Sequence, residues 1–424
     1  MTTPTAASDS PVAIYAELLA TLRQISVHIR LATPADASTR VRLADGGQRL
    51  LVSHGAHTQT LLLPAAASAH APVDLPLTAP ALSAASARRS AAWKLPLAPA
   101  VALPHYAHEL HDVPWEARDL RAGAEVRCRA CEAVVVPASA LREWKDLPSE
   151  NWAEMMEFWH CHKPHVPPAD AADGREERLT ERAYGANATI VARKGVGFVD
   201  LTSFLLVEDD VQGVKFSPTP TPPDIPDTAT TTAPQSFARP PPTPVHCAHC
   251  ASRLGSHDAQ RASIALFKWQ VTTPSSVAPP ASTACLAASL LAGMARSGYA
   301  KSVLVPAARV ISSAGGEEAP AAAAAASDPL LLHLWIMNPS TTYSASGAGE
   351  AVSAMRLMFK MVSRAEADRL LDGATSDVQE LVWPREAIAD ALRTLQRGFE
   401  ILPAEAREFR DWKVSMLDKW QRPA

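Results

Sequence analysis

Cys128-Arg129-Ala130-Cys131 and Cys247-Ala248-His249-Cys250 are two C-x-x-C turns in a chain that has six cysteines in all. This spacing lets two thiolates and the amides between them wrap one side of a tetrahedral ion, and two such turns complete one coordination shell. Four thiolates are the donor set of a closed, structural zinc site. The long stretch between the turns exceeds a minimal zinc ribbon, so a β-domain and an insertion are expected between them. The contrary reading is a pair of buried, redox-inert thiols.

A second group, His160-Cys161-His162 with His165 just beyond, ends the stretch LPSENWAEMMEFWHCHKP. Trp152, Met155, Met156 and Trp159 recur at i, i+3, i+4 and i+7, which predicts a helix with a core-facing stripe, and Ser149 is placed to cap it. Cys161 and His162 would then join Cys128 and Cys131 as ligands, or hold a second ion with His165. A histidine favoured by the helix C-terminal dipole is the plainer reading. Cys285 stands apart: with Ser282 or Thr283 as a hydroxyl cap it falls in the first turn of a helix, where a thiol is activated, whereas its Ala and Leu neighbours favour a small core residue. No Walker loop, Rossmann glycine fingerprint, H-E-x-x-H or G-x-S-x-G is present, which disfavours nucleotide-dependent, zinc-protease and α/β-hydrolase chemistry.

The elements that must position these residues mix strands and helices. Gln24–Leu31, Arg40–Leu43, Leu50–Ser53 and Gln59–Leu63 read as strands punctuated by turns such as Asp45-Gly46-Gly47, and Pro64–Ala92 reads as a long loop. Ala188–Arg193 and Val196–Val207 suggest a hairpin turned at Lys194-Gly195. Residues 217–245 hold ten prolines and predict a disordered insertion, and 313–327, with its run of alanines, a second one. Further on, Ser282–Arg296 predicts an apolar helix stopped by Gly298, while Lys301–Val305 and Leu330–Met337 predict buried strands. Glu350–Val362 and Arg364–Leu371 predict helices divided by the capping box Ser363-Arg-Ala-Glu366. Pro384 opens a helix whose Ile388, Leu392, Leu395 and Phe399 share a face. The expected class is α+β: a β-rich N-terminal region (1–145), a helix and zinc-knuckle β-region (146–275) and a mixed α/β C-terminal domain (276–424).

Composition narrows the function. A hydrophobic content of 47% supports a large core, and a net charge of -4 offers no basic field, so direct nucleic-acid binding is not expected. No run reaches a membrane span and no signal peptide opens the chain, so a cytoplasmic or nuclear location is expected.

LPSENW with the Cys161-His162 pair, Val245-His-Cys-Ala-His-Cys250, Leu254-Gly255, Phe267-Lys-Trp269 and Leu334-Trp-Ile-Met-Asn338 together resemble the HECT-like ubiquitin-conjugating-enzyme-binding proteins. Leu402-Pro403 and Trp412-Lys-Val-Ser415 are similar as well. The resemblance runs from about Cys128 to the C-terminus and implies binding of a ubiquitin-conjugating enzyme, ubiquitin-ligase-like activity, and Cys285 as the family-like catalytic cysteine. A HECT ligase keeps its thioester cysteine near its C-terminus, and Cys285 is far from it. The resemblance also implies a second role, as a non-enzymatic adaptor or chaperone for a messenger-RNA 3'-end cleavage nuclease. In either role Pro148, Glu150, Asn151 and Trp152 are expected to contact the partner, since exposed aromatics dominate binding energy.

Overall fold

The computed structural model describes residues 11–68, 73–74, 89–101, 113–147, 191–216, 242–275, 277–307, 330–347, 349–372 and 377–422. These residues are β-rich with three α-helices, an α+β arrangement. No described helix is long and apolar enough to cross a membrane.

The largest sheet draws on both ends of the chain. β1 (Val12–Leu19), β2 (Gln24–Leu31) and β7 (Ser90–Pro96) come from before residue 100. They continue, through β1 pairing with β19 (Leu332–Ala345), into β20 (Val352–Met361), β23 (Trp412–Asp418) and β22 (Glu408–Phe409). β18 (Lys301–Pro306) pairs with the first half of β19 and, in parallel, with β21 (Val378–Trp383). β20 stands where a helix is expected from Glu350 to Val362. Its Met355, Leu357 and Phe359 face one core while Ala354 and Met358 face another beside Arg356 and Lys360, so apolar residues fall on both sides and no strict apolar/polar alternation marks the strand.

α1 (Ser282–Ser297) and α3 (Arg385–Ile401) cover one face of β19 and β20, burying Cys285, Leu286, Leu290, Ile388, Ala391 and Leu395. Gly398 permits the close approach of α3 to β23, since a Cβ there would lie 2.4 Å from the Met416 carbonyl oxygen. α2 (Arg364–Leu371) begins at Ser363, whose Oγ accepts from the Glu366 N–H at 3.2 Å, the N-cap half of the expected capping box. β1 and β2 bury Ile14, Ile25 and Val27 against a four-stranded sheet of β3 (Arg40–Ala44), β4 (Arg49–His54), β5 (His57–Leu62) and β6 (Val73–Asp74). β6 lies in the stretch expected to be loop, Pro64–Ala92, and β7 begins at its end and runs beyond it. On the opposite face of the large sheet the buried Glu17 carboxylate meets Arg356 Nη1 at 3.1 Å, with Tyr15 and Thr341 donating to it.

A seven-stranded sheet forms the middle of the molecule. Its order is β10 (Glu143–Asp146), β11 (Val196–Val199), β12 (Ser203–Val207), β16 (Ser263–Phe267), β15 (Arg253–Asp258), β14 (Thr243–Cys247) and β13 (Val214–Phe216). Val196–Val207 is thus two strands, with Phe198 opposite Leu205, and β14 claims Thr243–Val245 from the expected insertion. A three-stranded sheet of β17 (Val271–Thr272), β8 (Val126–Cys128) and β9 (Val134–Val136) closes a separate core around Trp115, Phe204, Leu206, Leu254 and Leu266.

Candidate metal centre

The two C-x-x-C turns are the tips of two hairpins, β8–β9 and β14–β15, and their backbones repeat one another. Cys128 N–H donates to Ala133 O at 2.8 Å, and Cys247 N–H to Ser252 O at 2.9 Å. Glu132 N–H returns to Cys128 O and Ala251 N–H to Cys247 O, with Glu132 and Ala251 both in the left-handed region (φ 57 and 60).

The hairpins bring all four sulfurs within 4.8 Å of one another. Cys128 Sγ lies 3.7 Å from Cys250 Sγ, and Cys131 Sγ 3.7 Å from Cys247 Sγ. Sulfurs about 2.3 Å from a tetrahedral zinc would stand about 3.8 Å apart, so the spacing fits the ion. Among the described residues this is the one group of three or more Cys, His, Asp or Glu placed to hold a metal. The electrostatics also suit a cation. Hydrogen bonds from the Ser252 hydroxyl and N–H pull the solvent-facing Cys250 thiol down to about 6, whereas burial pushes Cys128 up to about 12. A dication makes thiolates of such a mixed set, and with four protein ligands no position is open to a substrate.

The centre is tied to the C-terminal core. Arg129, between two of the ligands, donates from its N–H to Gln270 O and from Nη1 to Trp269 O and Pro280 O. Lys268 is wholly buried, donating to Pro114 O at 2.6 Å with Nζ 6.0 Å from the Phe204 ring centre. Burial lowers its pKa to about 8. From the other side Arg422 Nη2 reaches Glu116 Oε2 and Asp119 Oδ2 at 2.9 and 3.0 Å. Arg129 had no signal in the sequence beyond its place between two cysteines, and Lys268 was visible there only within the string Phe267-Lys-Trp269.

Cys285 is separate from this centre. α1 is capped by Ala281 with no side-chain hydrogen bond, so neither Ser282 nor Thr283 is the expected hydroxyl cap. Cys285 is the fourth residue of the helix, and its own N–H already donates to Ala281 O at 3.2 Å. Burial pushes its thiol up to about 12 against the opposing charge of Lys268. That is the environment of a core thiol rather than a nucleophile. Cys161, His162, His165, Pro148, Glu150, Asn151 and Trp152, with the Trp152–Trp159 stripe, lie outside the described residues.

Another arrangement among the described residues has catalytic spacing. Ser26 Oγ and His28 Nε2 are 3.1 Å apart, and His28 Nδ1 is 3.1 Å from Glu405 Oε1. Lys94 Nζ donates to the same Ser26 oxygen at 2.6 Å, and Ser26 lies within the β1–β2–β7 ladder, whose strand amides pair with one another. Without free amides for an oxyanion this chain of polar groups is a clasp between β2 and the turn at Ala404–Ala406.

Residues 17–414 match the family described as HECT-like ubiquitin-conjugating enzyme (E2)-binding. The chain belongs to this E2-binding family. The match includes the N-terminal strands as well as the part that carries the motifs. A stretch of 72 residues is 33% identical to the Saccharomyces cerevisiae protein named "Uncharacterized protein YJR141W", covering 16% of this chain and 21% of that one. Another of 61 residues is 39% identical to the Schizosaccharomyces pombe "Uncharacterized protein C1734.10c", covering 13% and 17%. The chain therefore spans about a fifth of the length of these curated relatives. No solved structure matches the chain.

Proposed function

We propose that the protein binds a ubiquitin-conjugating enzyme carrying ubiquitin as a thioester and assists transfer to a substrate lysine by holding the two in place. In this reading the lysine amine attacks the thioester carbonyl, the C–S bond breaks and an isopeptide bond forms. The amine proton leaves to solvent and the conjugating enzyme's cysteine departs as a thiolate. No covalent intermediate on this chain is needed, and effective concentration supplies the acceleration. The four-cysteine centre is a structural zinc site that fixes the middle of the molecule.

The observation that carries the positioning reading is the state of Cys285, wholly buried and with a thiol pKa raised to about 12. Membership of the E2-binding family supports the partner class. The test is reconstitution with activating enzyme, conjugating enzyme and ubiquitin: wild type raises the rate of ubiquitin conjugation. No acceleration and no binding by any conjugating enzyme would sink the reading. Co-purification of the intact chain with a messenger-RNA 3'-end cleavage nuclease instead would support the adaptor role.

A further inference from the structure

The N-terminal metal-binding turn grips the chain segment that leads into α1. The described parts of that segment, 269–275 and 277–280, run along β8 and its neighbours. Val271 pairs with Cys128, Thr273 Oγ1 donates to Glu125 O, Ser275 Oγ donates to Asp119 O, and Val277 O accepts from Trp115 Nε1. Arg129 spans it. Its Nη1 meets Trp269 O at 3.3 Å near the start and Pro280 O at 2.8 Å at the end, one residue before Ala281 caps α1. A planar guanidinium can satisfy two carbonyls at once, and here it draws together two points eleven residues apart in the sequence. Lys268 and Cys285 flank the gripped segment, and both are 0% exposed.

We propose that Arg129 is a latch: the ion holds the turn that carries Arg129, and the guanidinium holds the 269–275 and 277–280 stretches and the start of α1 closed over Cys285. Loss of the ion, or of the Arg129 side chain, opens that start and exposes the thiol while the sheets remain folded. The physical reason is the flanking of Arg129 by Cys128 and Cys131. Once their sulfurs are freed, the turn gains conformational freedom and the guanidinium loses its fixed base. This inference rests on the reading of the four thiols as a metal centre.

The test is alkylation of the metal-loaded protein with iodoacetamide, mapped residue by residue, alongside metal content and amide hydrogen exchange. Arg129→Ala keeps its ion and alkylates Cys285 at least about tenfold faster than wild type, the scale expected for losing hydrogen bonds from a charged donor. Arg127→Ala is the control, because that side chain engages Glu125 and the Glu132 carbonyl and none of the gripped carbonyls. It leaves Cys285 protected. Equal protection of Cys285 in Arg129→Ala and wild type overturns the latch, as does equal acceleration in Arg127→Ala. Loss of amide protection spread evenly over β19 and β20 also overturns it, since that is global weakening. If Arg129→Ala does not fold, wild type stripped with a chelator must expose Cys285 before β19 and β20 exchange, and simultaneous exposure overturns the proposal. A wild-type chain that carries no metal overturns the underlying metal reading, and metal analysis alone identifies that case.

Discussion

Cys128 Sγ and Cys250 Sγ lie 3.7 Å apart although 122 positions separate the residues along the chain. Two hairpins from different sheets meet at this contact. Any cation bound there joins the three-stranded and seven-stranded sheets, so its binding energy becomes folding energy for the middle of the molecule.

Removing one ligand therefore acts on stability. Cys128→Ser is expected to lose the ion and lower unfolding free energy by several kcal/mol, since structural zinc contributes folding energy outright. Thermal unfolding with and without chelator measures this. An unchanged Tm contradicts it.

Cys285→Ser separates positioning from relay. With the thiol buried, the substitution is expected to leave ubiquitin conjugation in a reconstituted reaction at the wild-type rate. Abolished transfer, together with a reducible ubiquitin adduct on the wild-type chain, would establish a covalent step in place of positioning.

The Glu17–Arg356 pair joins β1 to β20, with the carboxylate 7% exposed and the guanidinium 23%. Arg356→Ala leaves a buried carboxylate with hydroxyl partners only and is expected to cost about 3 kcal/mol. The double variant Glu17→Gln with Arg356→Met recovers much of that loss. Urea unfolding of the set checks it, and a near-zero effect of Arg356→Ala removes the pair from the account.

His333 sets part of the acid response. It is 4% exposed, neither ring nitrogen has a hydrogen-bond partner among the described residues, and its ring packs edge-on to Trp412 at 4.7 Å. Burial, then the charges of Lys360 and Lys301, lower its pKa from 6.5 to about 4. As pH falls through 6.5 the unfolded chain takes up a proton that the folded chain refuses until about 4. Stability is therefore lost across that window, by up to about 3 kcal/mol. His333→Phe flattens the dependence, read by denaturant unfolding at several pH values within the window. Parallel curves for wild type and variant contradict this.

Where an element has one solvated face or a local punctuation signal, its sequence shows it. Gln24–Leu31 coincides with β2, the capping box at Ser363 marks the start of α2 at Arg364, and the shared face of Ile388, Leu392, Leu395 and Phe399 marks α3. The C-x-x-C spacing likewise foretold the four-sulfur cluster, because ligand chemistry is local to each turn even when the turns are distant. Buried elements were legible where a short apolar run stands alone, as in β18 and the start of β19, but β1 and β20 were not. β1 has seven of eight positions apolar, and β20 faces two cores, so the period that separates strand from helix is absent from both. The pairing of Tyr15 with Ala345 and the grip of Arg129 on Pro280 depend on tertiary packing that no local pattern encodes.

Metal analysis of the full chain purified without chelator tests the centre most directly. The account predicts about one zinc ion per folded chain with an all-sulfur first shell by X-ray absorption. A well-folded chain carrying far less than one ion of any metal contradicts it.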